Sequence, residues 1–352
     1  KDITPRLELQ QKSPKLMTLE EAIRHSGLKD GMTISFHHHF RGGDKVVNMV
    51  VAKLAEMGFK GLHLAASSLQ DVHEPLIEHI RNGVITEIST SGLRGELAKE
   101  ISHGLMEKPV VFRSHGGRGE AIASGELHID VAFLGASSSD PLGNACGYSR
   151  SPNAKSICGS LGYALPDAHY ADKVVILTDD LVAYPNTPNS ISEHDVDFVV
   201  EVDSVGDSSK IASGAIRDTK NPRDILLAKQ AAKVIVNSGY FKEGFSIQTG
   251  SGGASLAAVK YIRQSMIDQG IKASFALGGI TAHMVKMHEE GLIERLIDVQ
   301  SFDKVAAESL KNDPTHKEVA SYEYASMHEE GSATHCLDIV ILSALEVDVH
   351  FN

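Results

Sequence analysis

The chain has 352 residues, of which 42% are hydrophobic, and a formal net charge of −12. That length holds more than one core, so two domains are expected, and the acidic balance argues against nucleic acid or an anionic membrane as the main partner. Three widely spaced cysteines (Cys146, Cys158, Cys336) make neither a disulfide framework nor a zinc ribbon and fit a reducing, cytoplasmic setting; no apolar run reaches the roughly 18 residues of a spanning helix.

Residues 1–15 are polar, carry two prolines and read as an arm. MTISFHHHF (32–40) reads as a strand, and KVVNMVVAKLAEMG (45–58) as an amphipathic helix closed by Gly58. LHLAAS (62–67) is a strand again and PLIEHIRNG (75–83) a helix. VITEIST, VVFRS, DVAFLGAS and KVVILTDD are short β-rich runs bounded by Gly, Pro and Asp. This alternation predicts an α/β fold with mainly parallel sheets. The helix NPRDILLAKQAAKVIVNSG (221–239) opens a second unit, so the expected division is 16–220 and 221–352.

The second unit echoes the first. GMTISFHHHFRGGDKVVNMVVAKLAEMGFKGLHLAAS and GFSIQTGSGGASLAAVKYIRQSMIDQGIKASFALGG both read strand, Gly-Gly turn, helix, Gly, strand. That is a duplicated domain rather than a solenoid. The second unit has far fewer residues after its glycines than the first, so its C-terminal part is expected to be missing.

Three histidines, His37, His38 and His39, precede the first turn. On a strand, His37 and His39 share a face and His38 points away, so at most two could bind one metal. No second cluster has ligand spacing and HExxH does not occur. No metal is expected; the histidines line or support the turn, and a charge role stays open. The glycines are the better signal. In RGGDK, Gly42 and Gly43 bring backbone N–H groups to a ligand where a strand passes into a helix, and Asp44 can cap that helix. GSGGAS, with Ser251, Gly252 and Gly253, repeats the device. The plain alternative is two ordinary tight turns. A dinucleotide fingerprint fails at Ser255, where GxGxxG needs glycine. A third motif, DVAFLGASSSDPLGNACG (130–147), runs from a buried strand into a Ser-rich turn containing Asn144. Open α/β sheets bind ligands at such strand ends, although a surface loop reads the same way.

Together these motifs resemble the CoA-transferase superfamily of duplicated α/β domains. A longer set, FHHHFRGGDKVVNMVVAKLAEMGF, TSGLRGELAKEI, FKEGFSIQTGSGGASLA, ALGGIT, DVQSFD and LSALEVDVHFN, closely resembles the α-subunit family of bacterial citrate lyase. The resemblance covers nearly the whole chain from about residue 15. It implies a transferase that converts acetyl-ACP and citrate to citryl-ACP and acetate. It also implies β (lyase) and γ (acyl carrier protein) partner subunits and a homo-oligomer within the complex. The chain itself would bind no cofactor, acting on the CoA-derived prosthetic group of the carrier, with acetyl-CoA as a substitute.

Typical CoA-transferases carry a nucleophilic glutamate just after the strand that follows the second glycine turn. Counting back from Gly291 places it near Gly278, and LGGIT has no carboxylate there. Covalent catalysis on an enzyme glutamate lacks its residue, so a citrate carboxylate is the expected nucleophile, in the room left at Gly278 and Gly279. Gly42, Gly43, Gly252 and Gly253 are candidate oxyanion donors. Arg41 and Lys45 are candidate cations for the citrate trianion, and His37, His39, Asn144 and Ser251 candidate contacts. Two alternatives stand: a phosphosugar isomerase or deaminase of similar fold, whose Asp/Glu and His set cannot be placed, and a non-catalytic scaffold that docks a carrier protein.

Overall fold

Unbroken Val, Ile, Leu and Ala runs fold here as strands covered on both faces. The computed structural model describes residues 13–212, 219–250, 252–326, 331–344 and 346–351. β1 (Thr33–Phe36), β2 (Leu62–Ala66), β3 (Ile85–Thr90), β4 (Val111–Phe112), β5 (Val131–Ala136), β8 (Lys173–Thr178) and β9 (Phe198–Glu201) form one sheet, ordered β4-β3-β2-β1-β5-β8-β9. Every adjacent pair is parallel. All six residues of β5 are buried, as in a parallel strand lying between helices. β6 (Ser138–Ser139) and β7 (Ala145–Cys146) make a small antiparallel ribbon beyond the end of β5.

The second sheet is β10 (Phe245–Thr249), β11 (Ala273–Ile280), β12 (Leu296–Ser301), β13 (His316–Glu318) and β14 (Ile339–Ile341), ordered β13-β12-β11-β10-β14 and again all parallel. Matching β10 to β1 reproduces the first sheet from β4 through β5. Counterparts of β8 and β9 are not found among the described residues, so the second sheet is the shorter. The duplicated α/β architecture is therefore present, with the helix Val46–Glu56 after β1 and the helix Gly253–Gln269 after β10.

One expectation needs correction. β1 stops at Phe36, so the histidines lie in the turn and not on the strand. The end of the expected arm is tied down. Residues 1–12 lie outside the described residues, but the Met17 N–H donates to the Val199 carbonyl (3.0 Å) and Val199 N–H to the Lys15 carbonyl (2.8 Å), beside β9. No helix among the described residues is long and apolar enough to cross a membrane.

The two sheets are locked by a shared seam. Tyr163, Val299 and Val319 form an apolar cluster between them. The Ser160 hydroxyl donates to the Asp298 carbonyl (2.8 Å), and the Leu161 N–H to a Glu318 carboxylate oxygen (2.6 Å). Gly162 permits the approach: a Cβ there would stand 2.3 Å from the Val319 carbonyl oxygen and 2.6 Å from that of Val299. The helix Ser321–Tyr324, from the second unit, packs on His115–Ala123 and Leu165–Tyr170 of the first.

Candidate functional site

The chain leaves β1 through His37–Phe40 and makes a 3-10 turn at Arg41–Gly43 before entering its helix. The Asp44 carboxylate accepts the Val47 N–H (3.1 Å) and so caps that helix, and it also accepts His73 Nε2–H (3.1 Å). Gly43 is needed because a Cβ would fall 2.2 Å from the Asp207 carbonyl oxygen. Its N–H already donates to the Phe40 carbonyl at 2.9 Å, so Gly43 as an oxyanion donor needs correction. Gly42, partly exposed, is the glycine of this turn that faces outward.

Below the turn, Arg118 pairs with Asp167 through two hydrogen bonds (2.8 and 2.9 Å), both side chains buried. The Ser35 hydroxyl donates to the same carboxylate at 2.5 Å, and Arg118 also donates to the Ala65 carbonyl. This pair ties β1, β2 and the helix His115–Ala123 into one rigid floor.

All three histidines of the turn are buried. The His39 N–H donates to His37 Nδ1 (3.3 Å), so the neutral His37 ring carries its proton on Nε2 and donates it to the Gly135 carbonyl (2.8 Å). With both nitrogens used inside the fold, His37 supports the turn and does not reach a ligand. The Tyr163 N–H donates to His39 Nε2 (3.2 Å). The neutral His39 ring then holds its proton on Nδ1, which is buried with no acceptor among the described residues. His38 Nδ1 meets the Ser67 hydroxyl at 2.5 Å. The His38 ring stacks against His115 (5.4 Å between centroids) and Tyr163 (5.2 Å). Burial pushes the pKa of His37 down and those of His38 and His39 well down. Burial, and then the charges of Arg118 and Arg41, hold His115 at about 4. The cluster is neutral at pH 7 and offers donors rather than charge.

Arg41 is the cation of the site. It is 6% exposed and sits at φ 50°, a left-handed backbone that side chains other than glycine rarely adopt. Its Cζ lies 4.8 Å from the centre of the Phe302 ring, a cation–π contact reaching across to the second unit. Its Nη1 is buried without an acceptor among the described residues. Burial, and next the Arg94 charge, bring its pKa down to about 10. The seam continues here, with Gln300 Nε2–H donating to the His38 carbonyl at 3.0 Å. His115 Nδ1 and Ser91 Oγ are further buried polar atoms with no partner among the described residues. Buried donors without acceptors mark a place built for an acceptor-rich ligand.

The other expected contacts lie elsewhere or are filled. Gly278 and Gly279 are inside β11, at a register shift against β12, and not in an open turn. A Cβ on Gly279 would stand 2.1 Å from a Phe302 ring carbon, and one on Gly278 would stand 3.0 Å from Gln248 Nε2. The vacant volume expected beside these glycines is occupied by side chains. Lys45 is exposed and donates to the Ser204 hydroxyl (3.1 Å), with its charge acting on Asp207. The Asn144 side chain is saturated: it donates to Asp140 (2.8 Å) and Glu193 (2.9 Å) and accepts from the Glu193 N–H (3.0 Å). Asn144 therefore fastens its own loop. Gly252 is the N-cap and Gly253 the first residue of their helix, where first-turn N–H groups have no intrahelical acceptor. Ser251 lies outside the described residues. A set of side chains with metal-ligand spacing occurs at exposed His128 and Asp172 with half-buried Asp130, and the histidine run takes no part in it.

Sequence reasoning did not single out His115, Tyr163, Phe302 or Arg94. Arg94 and Phe302 stood within quoted segments, TSGLRGELAKEI and DVQSFD, whose spacing carries no chemical signal. The wall they build exists only once the two units meet.

Comparison with known proteins agrees with this architecture. The family model for the citrate lyase alpha subunit matches residues 13–352. The citrate lyase alpha chain of Haemophilus influenzae is 59% identical over 342 residues, covering 97% of this chain and 68% of the relative. That of Klebsiella pneumoniae is 61% identical over 335 residues, covering 95% and 65%. The Streptococcus mutans citrate lyase alpha subunit, solved in complex with citrate, superposes with a TM-score of 0.91 at 57% identity, covering 96% of this chain and 66% of that one. A malonate decarboxylase alpha subunit from Acinetobacter baumannii shares the fold alone, with a TM-score of 0.60 at 16% identity. The chain thus spans about two thirds of the length of the relatives it matches. With the match running from residue 13 to residue 352, this chain belongs to the citrate lyase alpha-subunit family.

Proposed function

We propose that this chain belongs to the transferase component of citrate lyase, which exchanges acetyl for citryl on the thiol of an acyl carrier. The observation that carries the reading is Arg41, a buried guanidinium whose Nη1 has no acceptor among the described residues, beside neutral donors at the seam of the two units. Such a site takes an anion, and a family member from Streptococcus mutans was solved with citrate. In the exchange, a citrate carboxylate oxygen attacks the acetyl carbonyl carbon, the C–S bond breaks, and the carrier thiolate leaves. The product is a citric-acetic anhydride. The thiolate then attacks the citryl carbonyl carbon, the anhydride C–O bond breaks, and acetate departs. Both steps pass through tetrahedral oxyanions. The Gly42 N–H and the first-turn N–H groups at Gly252 and Gly253 are the donors assigned to them, each worth on the order of 3 kcal/mol. No general base is required, since carboxylate and thiolate are both charged. Glycine at 278 and 279 leaves no carboxylate at the expected nucleophile position, which favours the substrate as nucleophile. The thiol belongs to a CoA-derived group on the carrier protein, and a lyase subunit consumes the citryl product.

The test uses the complete subunit with labelled acetyl carrier, or acetyl-CoA, and citrate. Citrate-dependent release of acetate is expected. Borohydride or hydroxylamine trapping followed by mass spectrometry should find every Asp and Glu unmodified. A stoichiometric adduct on one carboxylate would overturn the substrate-derived anhydride.

A further inference from the structure

Among the described residues five arginines are neutralised by carboxylates: Arg24 by Glu20, Arg81 by Glu78 and Glu100, Arg113 by Glu126, Arg118 by Asp167 and Arg263 by Glu290. Arg41 and Arg94, like Arg150, Arg223 and Arg295, have no such partner there, but their loops are joined: His38 meets the Ser67 hydroxyl at 2.5 Å, the Leu69 N–H donates to the Gly92 carbonyl at 2.8 Å, and Leu69 bridges Leu93, so that the Arg94 charge bears on Arg41. Two like charges on adjoining loops, one of them desolvated, are unfavourable unless an anion joins them. Arg94 stands at the N-cap of the helix Gly95–Ser102, on the loop that follows β3. Three residues earlier on that loop, Ser91 Oγ is buried without a partner. On the inner side, Arg41 Nη1, His39 Nδ1 and His115 Nδ1 are likewise buried without partners among the described residues. The wall therefore has a desolvated inner cation and a solvent-facing outer one, with neutral donors beside the inner cation.

We propose that Arg41 and Arg94 form a two-point clamp for a polycarboxylate, Arg41 holding one carboxylate and Arg94 a second, and that Arg94 sets the preference for polycarboxylates over monocarboxylates. The inference rests on the exchange reaction proposed above and adds its specificity. A guanidinium fork matches a carboxylate with two parallel hydrogen bonds, so each arginine reads one carboxylate and a third remains free to attack the thioester. A monocarboxylate engages Arg41 alone and gains nothing from Arg94. Lys45, the other basic residue expected at this turn, cannot serve as the second point because it is turned toward Ser204.

Calorimetric titration of the full-length subunit tests the clamp with three probes: citrate, tricarballylate and the monocarboxylate 2-hydroxyisobutyrate. Arg94 is exposed, so Arg94→Gln should fold normally. That variant should bind citrate and tricarballylate more weakly by about ten-fold or more, while its affinity for 2-hydroxyisobutyrate stays within about two-fold of wild type. Arg94→Lys should recover part of the loss, since it restores charge without the fork. Unchanged citrate affinity in Arg94→Gln, or an equal loss for all three probes, would overturn the clamp. Thioester exchange is measured separately: a wild type that binds citrate with this selectivity but does not exchange would overturn the proposed function and leave the clamp standing.

Discussion

Gly279→Ala adds a single methyl group, and the structure sets what that methyl meets. The new Cβ would lie 2.1, 2.3 and 2.6 Å from three carbons of the Phe302 ring, so the ring must move. Gly279 does not have the positive φ of its neighbour Gly278 (φ 96°), so the penalty is packing and not backbone strain. Overpacking of this kind costs about 1–3 kcal/mol. Phe302 is partly exposed and can swing outward, which favours the lower end. Swinging outward also breaks its contact with Arg41, worth about 0.5–1 kcal/mol. The sum is about 2 kcal/mol, and with an m-value of about 2 kcal/mol/M the urea midpoint falls by about 1 M. The second variant is Gly279→Ala with Phe302→Leu, which removes the obstructing ring. The double mutant should be more stable than the two single effects added together, by about 1 kcal/mol or more. Urea unfolding followed by circular dichroism measures all four proteins. Additive effects, or a Gly279→Ala midpoint equal to wild type, would refute the packing argument. They would restore the open space beside Gly279 that the sequence suggested.

Asp167→Ala leaves the Arg118 guanidinium buried without its carboxylate. It should destabilise the first unit by about 3–5 kcal/mol, read as loss of soluble protein or a large fall in urea midpoint. The pKa of His115 is held at about 4, below its ordinary 6.5. Between those values the unfolded chain takes up a proton that the native chain does not, so stability is present above pH 6.5 and drains away as pH falls toward 4. His37, His38 and His39 act with the same sign. Urea midpoints at pH 7 and pH 5 should therefore differ less in His115→Gln than in wild type, and an identical difference would show that the ring is not desolvated.

Most of the fold was legible because β-rich and helical runs alternate and because the repeat fixes which strand matches which. The matched sheet orders follow from that duplication. The site was less legible. His37–His39 read as alternating residues on a strand, but the strand ends at Phe36 and the turn buries all three rings. No local pattern announces that, because the burying surfaces include Gly135, Ser67 and Tyr163, far away in sequence. Asn144 looked like a ligand for the same reason that it is a good loop staple: an amide both donates and accepts, and here Asp140 and Glu193 use it fully. Gly278-Gly279 was readable as missing a carboxylate but not as filled by Phe302, since the filling residue lies on another strand's end.

A carboxylate that must attack a thioester faces opposing demands. It has to be held against a carbonyl carbon, yet a tight pairing with a cation lowers its nucleophilicity. The wall around Arg41 separates the two demands. The histidines beside it are neutral, so they can orient oxygens by hydrogen bonding without drawing off further negative charge. The charge is concentrated on Arg41, and by the inference above on Arg94, so a substrate with several carboxylates can spend two on binding and keep one reactive. A monocarboxylate has only one group for both tasks. On this reasoning an acetate-like acid is held less well here than a polycarboxylate, while the direction of the proposed exchange is set by the relative free energies and concentrations of the two acids and thioesters. Adding charge to the wall should therefore harm catalysis more than affinity. His115→Lys, if tolerated by the fold, is expected to bind citrate at least as tightly as wild type while exchanging it more slowly, measured as a KM unchanged or lower beside a reduced kcat. A kcat equal to or above wild type would mean that the neutrality of the histidine wall has no part in the chemistry.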